Sequence, residues 1–563
     1  MLSPKTQYNL KNAQEYFEEH LCAGDYYSEG EGIRGQWLGK GAESLGLRGD
    51  VGRDEFLALC ENQHPKTGKL LTQRRKVSRR DVDESGDERN VANRRVFYDF
   101  TLSPPKVVSI AALVGGDERI VEAHARAVSV AMREMEQFAS ARVRRGGNHS
   151  DRQTGNVVAA IFRHDTSRAL DPHLHSHCIV FNATQDAVEG RWKALQNYEM
   201  LRAQKYVENV YYHELARALI GVGYAIENHR RGDFEIKGVS KALREKFSKR
   251  HAEIDEKTRE LLEKMPEKAN GNVADVREHI AHTRRSRKIK NVALEKLRRL
   301  WTEQMTDAER KSLSELMTPH GRRTDVQGDP ATALDWAEEH LFDRRSVVRE
   351  HELWRHALEH ARGSEIDIER LKSETANRDY IRDAGNPCKL TTRAALGREW
   401  DILCLAKDGI GRHEPFNRTN VAADSLDEEQ RHAVERILRS EDFLTLFRGA
   451  AGTGKSFALR EVHHGLAAAG HAVHVIAPQR QQVIDLQNAG FGTAQTVSEF
   501  LTRKPMLRGS VVIVDEAGQL GAKQMQALLV YVRENDGRSR APVTIVDCST
   551  ITGSDLGHGI SPS

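Results

Sequence analysis

The sequence contains little cysteine and no long hydrophobic stretch. Six cysteines are scattered over 563 residues, and no two form a Cys-x-x-Cys pair. This spacing excludes a disulfide framework and a zinc ribbon, and it is typical of a protein of a reducing cytoplasm. The longest apolar runs, such as Val107–Val114 and Val511–Val514, are far shorter than the roughly 18–20 residues that span a bilayer. The residues after Met1 form no apolar signal core, so we expect neither membrane insertion nor export through a signal peptide.

Charge is distributed unevenly along the chain, although the formal net charge is only +3. Residues 1–300 carry 52 basic and 43 acidic side chains, whereas residues 301–563 carry 33 and 39. The basic excess is concentrated in residues 201–300. Most of it is explained by solvated helices, but the cluster Arg284-Arg285-Ser286-Arg287-Lys288 is equally consistent with phosphate contacts. The excess of basic side chains in residues 1–300 therefore predicts a polyanionic partner for this half of the chain.

Changes in pattern along the chain predict three domains of α/β class. Residues 1–30 read as helical, strands are expected at 96–102, 156–163 and 173–182, and helices at 117–142, 196–220 and 238–313. Strands and helices alternate from residue 424, which is typical of a parallel sheet. We predict an α+β domain with an antiparallel central sheet over 1–300, a helical connector over 301–420, and an incomplete RecA-like P-loop lobe over 421–563.

Three histidines in five residues form the first chemical signal. Residues i and i+2 of a strand point to the same face, so His175 and His177 can direct two imidazoles at one metal ion. A divalent ion needs a further donor. His164 and His173 both qualify, and spacing alone does not choose between them. Chance clustering among 25 histidines is the alternative.

Tyrosines near the start of the chain form a second signal, at Tyr16, Tyr26 and Tyr27. A phenol has a pKa near 10 and becomes a nucleophile only when a metal or a base activates it. Taken alone, these residues are better explained as core or surface aromatics.

Together the motifs resemble the relaxase domain of TraI/TrwC-type conjugative relaxases, the MobF class of HUH endonucleases. The resemblance covers about the first 300 residues. It is carried by Glu15-Tyr16-Phe17, Gly24-Asp25-Tyr26-Tyr27, Trp37-Leu38-Gly39-Lys40-Gly41-Ala42-Glu43, the segment Asp99 to Lys106, and the segment Phe162 to His177.

This resemblance implies a tyrosine that attacks a DNA phosphodiester at the transfer origin, leaving a 5′-phosphotyrosine and a free 3′-OH. Tyr16 is the implied first nucleophile, and Tyr26, or else Tyr27, is the second one for strand transfer. Family members often have two adjacent tyrosines at the first position, but Phe17 stands second here and cannot react. The first cleavage is therefore expected to depend on Tyr16 alone.

The resemblance also implies a site for Mg²⁺ or Mn²⁺ formed by His164, His175 and His177. Asp99 would orient a ligating histidine or help to deprotonate the nucleophile, and Arg168 would contact the scissile phosphate. Single-stranded DNA of the transfer origin is the implied substrate, held by the basic segments 74–80 and 241–300. A coupling protein and a type IV secretion system are the implied partners, and passage from the bacterial cytoplasm into a recipient cell follows from them.

A P-loop motif begins the second chemical region. Gly449, Gly452, Gly454, Lys455 and Ser456 belong to a GxxxxGK[ST] sequence between an apolar strand and a helix. Such a loop cradles phosphates, its lysine reaches the β and γ oxygens of ATP, and its serine binds Mg²⁺. The strand 511–514 ends in Asp515 and Glu516, which would hold Mg²⁺ and orient water.

The region around the P-loop resembles RecD-like superfamily 1 helicases, with Gln430 as the adenine reader. Residues 543–546 resemble the strand after the Walker B motif, but the following sequence departs from the helicase pattern. We expect a lobe that binds ATP without processive unwinding. Two rival functions are a DNA-binding protein that does not nick and a helicase-type ATPase with an accessory metal domain.

Overall fold

The first unit of the fold is built around a five-stranded antiparallel sheet. The computed structural model describes residues 1–8, 10–17, 35–73, 78–82, 88–92, 95–145, 148–167, 169–229, 232–249, 256, 258–259, 294–317, 328–418, 426–448, 455–507, 509–535 and 543–547. The strands of the sheet lie in the spatial order Leu2–Gln7, Phe97–Leu102, Pro172–Phe181, Ala159–Thr166 and Gln36–Leu38. We call them the first strand, the aspartate strand, the histidine strand, the His164 strand and the edge strand. The sheet confirms the predicted α/β class.

The first strand replaces the beginning of the helix predicted over residues 1–30. Residues Leu2–Gln7 pair antiparallel with the aspartate strand, from Leu2 opposite Leu102 to Gln7 opposite Phe97. The first strand pairs with the free side of the aspartate strand. Pro4 is tolerated because the first strand is outermost in the sheet and needs no hydrogen bond on its outer side. The helix begins only at Leu10 and ends at Tyr16.

Helices cover one face of the sheet. Lys106–Leu113, Glu118–Glu136 and Gln204–Gly221 pack there. Asp117 caps the second of these helices by accepting the N–H of Arg119.

The opposite face is divided between an apolar half and a polar half. Phe17, Phe56, Phe97, Phe162 and Phe181 are all buried in one cluster. Their rings fill one end of the face, so the polar side chains of the aspartate and histidine strands are left at the other end.

Smaller elements surround the central sheet. The strands are Ser78–Val82 with Glu88–Ala92, Leu195–Gln196 with Ser140–Arg145 and Asn148–Gln153, Thr184–Asp186 with Arg191–Lys193, and Ile226–Asn228 with Phe234–Ile236. The helices are Lys40–Ser44, Arg53–Cys60, Tyr198–Arg202, Lys241–Lys246, Leu294–Glu303, Asp307–Met317 and Ile368–Asn377. The chain passes from one compact unit to the other within the helices Pro330–Phe342 and Glu350–His360.

A parallel five-stranded sheet forms the second unit, as the alternating pattern after residue 424 predicts. Its spatial order is Leu444–Arg448, Val543–Asp547, Ser510–Val514, Ala472–Ala477 and Gln495–Thr496. The helices of this region are Arg393–Asp408, Glu428–Leu438, Lys455–Ala468, Arg480–Asn488, Val497–Arg503 and Ala522–Asn535. A small antiparallel sheet contains Val348–Arg349, Lys389–Thr391 and Ile381–Arg382. Ser510–Val514 is buried at every position, as expected of an inner strand covered on both faces.

The chain divides into two compact units. The first contains residues 1–334 and 354–376, and the second contains 335–353 and 377–563. The domain boundaries at residues 300 and 420 stay predictions. Within the described residues, no helix is both long and apolar enough to cross a membrane.

Candidate functional site

Tyr16 is carried by a short helix that is anchored in the apolar cluster. Ala13 and Phe17 of this helical segment are buried, and the Phe17 ring stacks on Phe56 at a centroid distance of 4.2 Å. Tyr16 is only half-buried. Phe17 is therefore a core anchor that fixes the direction of the neighbouring tyrosine, which accounts for a residue without a hydroxyl at this position.

Asp99 connects Tyr16 to the histidine strand. The Tyr16 hydroxyl donates to Asp99 Oδ2 at 2.6 Å. His177 Nδ1 lies 2.9 Å from the same oxygen and 3.1 Å from Oδ1. Thr101 Oγ1 also donates to Oδ1, at 3.4 Å. One buried carboxylate thus orients both a phenol and an imidazole.

The environment of Asp99 keeps its carboxylate ionised. Burial acts to raise the pKa of Asp99, but the charge and hydrogen bond of His177 oppose it, together with the Tyr16 hydroxyl and the charge of Lys5. The net result is a pKa below the ordinary value. An ionised carboxylate only accepts hydrogen bonds, so His177 must donate to it through Nδ1.

The imidazoles of His164, His175 and His177 form a compact triangle. Their ring centroids are 5.4 Å apart for His164 and His175, and 5.2 Å apart for each of the other two pairs. The strand register explains the triangle, since His164 lies directly opposite His175 and all three side chains share one face. The His173 ring stacks on the His175 ring at a centroid distance of 4.6 Å.

His175 is held as a neutral imidazole of one tautomer. Its Nδ1 donates to the carbonyl oxygen of His173 at 2.9 Å, which leaves Nε2 as the acceptor nitrogen. Burial, followed by the charges of His173, His177 and His164, lowers the pKa of His175 well below the ordinary value. Neutral imidazole with a lone pair on Nε2 is the form that binds a divalent metal.

The donor chemistry of the triangle fits a divalent ion. His175 and His177 both present Nε2 because hydrogen bonds occupy their Nδ1 atoms. Within the described part of the chain, however, no group of three His, Cys, Asp or Glu side chains stands in an arrangement that could hold a metal ion. The metal site at His164, His175 and His177 therefore stays a prediction.

The turn that joins the two histidine-bearing strands is held from later parts of the chain. Trp301 Nε1 donates to the carbonyl oxygen of Leu170 at 2.8 Å, and the backbone N–H of Lys249 donates to Asp171 Oδ2 at 3.0 Å. The helix Leu294–Glu303 thus contributes to the site by fixing this turn.

A series of hydrogen bonds between buried side chains holds the histidine strand from the helix-covered face of the sheet. Ser176 lies between the two histidines and points to the opposite face. Its hydroxyl is 2.8 Å from His124 Nε2, and His124 Nδ1 is 2.8 Å from the Tyr211 hydroxyl. Burial lowers the pKa of His124 to about 3, with smaller contributions from nearby positive charges. His124 is therefore a neutral link between two helices and the strand.

The two strands that lead to the predicted nucleotide motifs flank one common strand of the second sheet. In the parallel register, Leu446 and Val514 both lie opposite Ile545. Leu444–Arg448, which precedes the P-loop, and Ser510–Val514, which precedes Asp515, therefore end on the same side of the sheet, within two residues of the same level. Glu516 has a left-handed backbone, with φ 53°, and its carboxylate accepts a hydrogen bond from Gln519.

Gln430 has a local structural role at the start of a helix. Its side-chain oxygen accepts the N–H of Asp427 at 3.3 Å, and its own N–H donates to the Asp427 side chain at 2.8 Å. This capping box accounts for a glutamine at this position even when no nucleotide is bound. Adenine reading by Gln430 stays a prediction.

Several predicted residues lie outside the described part of the chain. These are Tyr26, Tyr27, Arg168, Gly449, Gly452 and Gly454, together with the basic cluster at 284–288. Lys455 and Ser456 begin the helix after the P-loop, and the description there is limited to their backbone.

Sequence reasoning missed four contributors to the site. Thr101 could have been found, since it stands two residues after Asp99 and shares its face. The carbonyl of His173, the indole of Trp301 and the side chain of Lys5 are brought to the site only by the fold. No spacing rule predicts these contacts.

Two families match the chain. The family described as TrwC relaxase matches residues 10–308, and an AAA domain matches residues 425–541. The multifunctional conjugation protein TraI of Escherichia coli (strain K12) is 39% identical over 200 residues, which cover 34% of this chain and 10% of that protein. Another Escherichia coli TraI is 37% identical over 251 residues, which cover 42% of this chain and 13% of that protein. The matched region thus spans about a tenth of these relatives.

Solved structures of the conjugative relaxase TrwC are also similar. A metal-bound complex with oriT DNA is 32% identical and covers 54% of this chain and 97% of that chain, with a TM-score of 0.44. A complex with a 27-mer DNA comprising the recognition hairpin and the cleavage site is 30% identical and covers 56% and 98%, with a TM-score of 0.43. Because the relaxase match covers more than half of the sequence, the chain belongs to the TrwC relaxase family, and a helicase-like AAA domain follows its relaxase region.

Proposed function

We propose that this protein nicks and rejoins single-stranded DNA at a plasmid transfer origin, with Tyr16 as the first nucleophile. The observation that carries the proposal is the hydrogen-bonded row from the Tyr16 hydroxyl through Asp99 to His177. A half-buried phenol, an ionised carboxylate and a cluster of imidazoles on one sheet face are the groups that a tyrosine transesterification needs.

The reaction exchanges one phosphodiester for another. Tyr16 Oη attacks the scissile phosphorus, a bond from Oη to phosphorus forms, and the bond from phosphorus to the 3′ oxygen breaks. The phenolic proton passes to Asp99, and the departing 3′ oxygen takes up a proton to become the free 3′-OH. The 5′ end stays on Tyr16 as a phosphotyrosine, so the reverse attack rejoins the strand without ATP.

The histidine triangle is the proposed holder of Mg²⁺ or Mn²⁺. When bound, such an ion supplies positive charge to a non-bridging oxygen of the scissile phosphate. Asp99 and the His173 carbonyl contribute by fixing the Nδ1 protons of His177 and His175.

The remaining assignments follow from the family and the motifs. Tyr26, or else Tyr27, would act in strand transfer, and Arg168 would contact the scissile phosphate. A coupling protein, a type IV secretion system and passage from the bacterial cytoplasm into a recipient cell belong to the same proposal. The oriT DNA named in the TrwC complexes supports the DNA partner.

The AAA domain is proposed to bind ATP with Mg²⁺. The P-loop glycines Gly449, Gly452 and Gly454 would cradle the phosphates. Lys455, Ser456, Asp515, Glu516 and Gln430 complete the proposed nucleotide site. The strands that precede the two motifs end on the same side of the sheet, which supports this part. In this proposal the relaxase domain spans 1–300, the connector 301–420 and the P-loop lobe 421–563.

The covalent adduct is the direct test. The full chain is incubated with Mg²⁺ and labelled single-stranded oligonucleotides that tile the transfer origin, and protein–DNA adducts are separated in SDS. We expect an adduct with the parent and none with Tyr16→Phe, since phenylalanine has no hydroxyl. Tyr8→Phe is the matched control, because Tyr8 is 48% exposed. An adduct formed by Tyr16→Phe at the parent rate would refute the nucleophile, and cleavage that survives EDTA would refute the metal.

A further inference from the structure

Lys5 lies next to the proposed nucleophile, although no motif includes it. The register of the first strand places Lys5 directly opposite Asp99, so both side chains leave the same face of the sheet. Lys5 Nζ lies 5.1 Å from the centroid of the Tyr16 ring, which is within the range of a cation–π contact. The lysine is half-buried beneath the tyrosine rather than displayed on the surface.

Negative charge gathers around Tyr16 during the proposed reaction, so a cation beside the Tyr16 ring would affect its rate. The Asp99 carboxyl group accepts a hydrogen bond from the Tyr16 hydroxyl, and the DNA backbone brings negative charge when the scissile phosphate approaches. Attack develops further negative charge on the phenolic oxygen and the phosphate. This accumulation of negative charge opposes the reaction, and a fixed cation is most effective where solvent is restricted.

We propose that Lys5 is a further residue of the cleavage reaction, whose ammonium group stabilises the negative charge that develops on Tyr16 and the scissile phosphate. This inference rests on the proposed function. Lys5 stays protonated throughout and exchanges no atom with the DNA, so the bonds made and broken are those already given. Because it sits under the tyrosine, its charge acts on the chemical step more than on DNA capture.

The test separates binding from chemistry in three variants. Lys5→Met removes the charge and keeps a flexible apolar stem, Lys5→Arg keeps the charge, and Lys69→Met removes an exposed lysine elsewhere in the relaxase region. Fluorescence anisotropy gives the Kd for a fluorescent origin oligonucleotide. Single-turnover adduct formation at saturating protein gives the rate constant of cleavage. Thermal unfolding and far-UV circular dichroism verify that each variant is folded.

We expect Lys5→Met to lower the cleavage rate at saturation by about 10- to 100-fold, while Kd changes by less than about threefold. Lys5→Arg should recover most of the rate, and Lys69→Met should match the parent. The inference is overturned if Lys5→Met cleaves at the parent rate, if it loses only affinity, or if Lys5→Arg is as slow as Lys5→Met. A parent that forms no adduct would instead contradict the proposed function itself.

Discussion

At the scale of single residues, Asp99 has the most partners in the site. It accepts from Tyr16, His177 and Thr101, and its lowered pKa makes it a weak base near neutral pH. Its main contribution is therefore to orient the phenol and to fix the protonated nitrogen of His177. In the proposed reaction, Asp99 accepts the Tyr16 proton only in the transition state, when the phenol has become acidic by bonding to phosphorus.

Replacing this carboxylate tests the orienting role. In Asp99→Asn an NH₂ group replaces one carboxylate oxygen and cannot accept a hydrogen bond from Tyr16 or His177, so the tautomer of His177 is no longer fixed. We expect Mn²⁺ affinity, measured by isothermal titration calorimetry, to fall about 10- to 100-fold, and the adduct rate to fall at least as much. Thr101→Val removes the 3.4 Å contact to Asp99 Oδ1 and the 3.2 Å contact to His177 Nδ1 but keeps the carboxylate, so it should change both by less than about threefold. Unchanged Mn²⁺ affinity in Asp99→Asn would contradict the orienting role.

At the scale of elements, the histidine strand depends on packing from both faces. His124 holds Ser176 from the helical side, and burial keeps His124 neutral with a pKa of about 3. The unfolded chain has an ordinary histidine pKa near 6.5. Between these two values the unfolded chain binds a proton that the folded chain excludes, so stability is lost as the pH falls through this range.

The expected pH dependence can be measured by urea unfolding between pH 6.5 and 4.5. His124 should contribute up to about 1.4 kcal/mol of lost stability per pH unit, in addition to the contributions of other groups. His124→Gln keeps a hydrogen-bonding side chain without a titrating group, so its free energy of unfolding should fall less steeply with decreasing pH. An identical slope for parent and His124→Gln would show that His124 is not the buried neutral group described.

Gly39, in the motif Trp37–Glu43, is required at its position by close packing against the backbone of Val157. Its φ is +108°, and a Cβ atom placed there would lie 2.4 Å from the carbonyl oxygen of Val157. Gly39→Ala should therefore destabilise the protein by more than about 2 kcal/mol. Gly49→Ala is the matched control, since Gly49 also has a positive φ of 71° but faces open space, and it should cost only about 1 kcal/mol. Equal melting temperatures for the two variants would contradict the steric argument.

The sequence predicted those parts of the fold and site that depend on local pattern. Alternation in the histidine strand placed His175 and His177 on one face, and the succession of strands and helices after residue 424 predicted a parallel sheet. The strand Leu2–Gln7 was predicted as helix because its partner is about a hundred residues away. Lys5 and Trp301 were missed for the same reason, since their contacts arise from pairing between distant segments. Whether His164 binds metal stays a prediction.

At the scale of the whole molecule, each unit contains apolar clusters of its own. Among the described residues, the aromatic cluster of the relaxase region and the two apolar clusters of the P-loop region have no residue in common. Each proposed chemistry can therefore be disabled by a substitution that leaves the clusters of the other unit unchanged.

Nucleotide binding and DNA cleavage should respond to different substitutions. Lys455→Ala removes the cation expected at the β and γ phosphates, so binding of a fluorescent ATP analogue should fall at least about 100-fold. Adduct formation by this variant should stay within twofold of the parent. Lys407→Ala, on the exposed surface of helix Arg393–Asp408, is the control. Parent-like nucleotide binding by Lys455→Ala would refute the P-loop assignment.

The order of strands in the central sheet also has a consequence during synthesis on the ribosome. Lys5 and Tyr16 emerge first, whereas His177 follows about 160 residues later, which takes roughly 8–30 s at about 5–20 residues per second. Trp301, which holds the turn between the histidine-bearing strands, emerges later still. A nascent chain therefore carries its proposed nucleophile long before it carries the groups proposed to orient and activate it. Incomplete translation products should be unable to cut DNA.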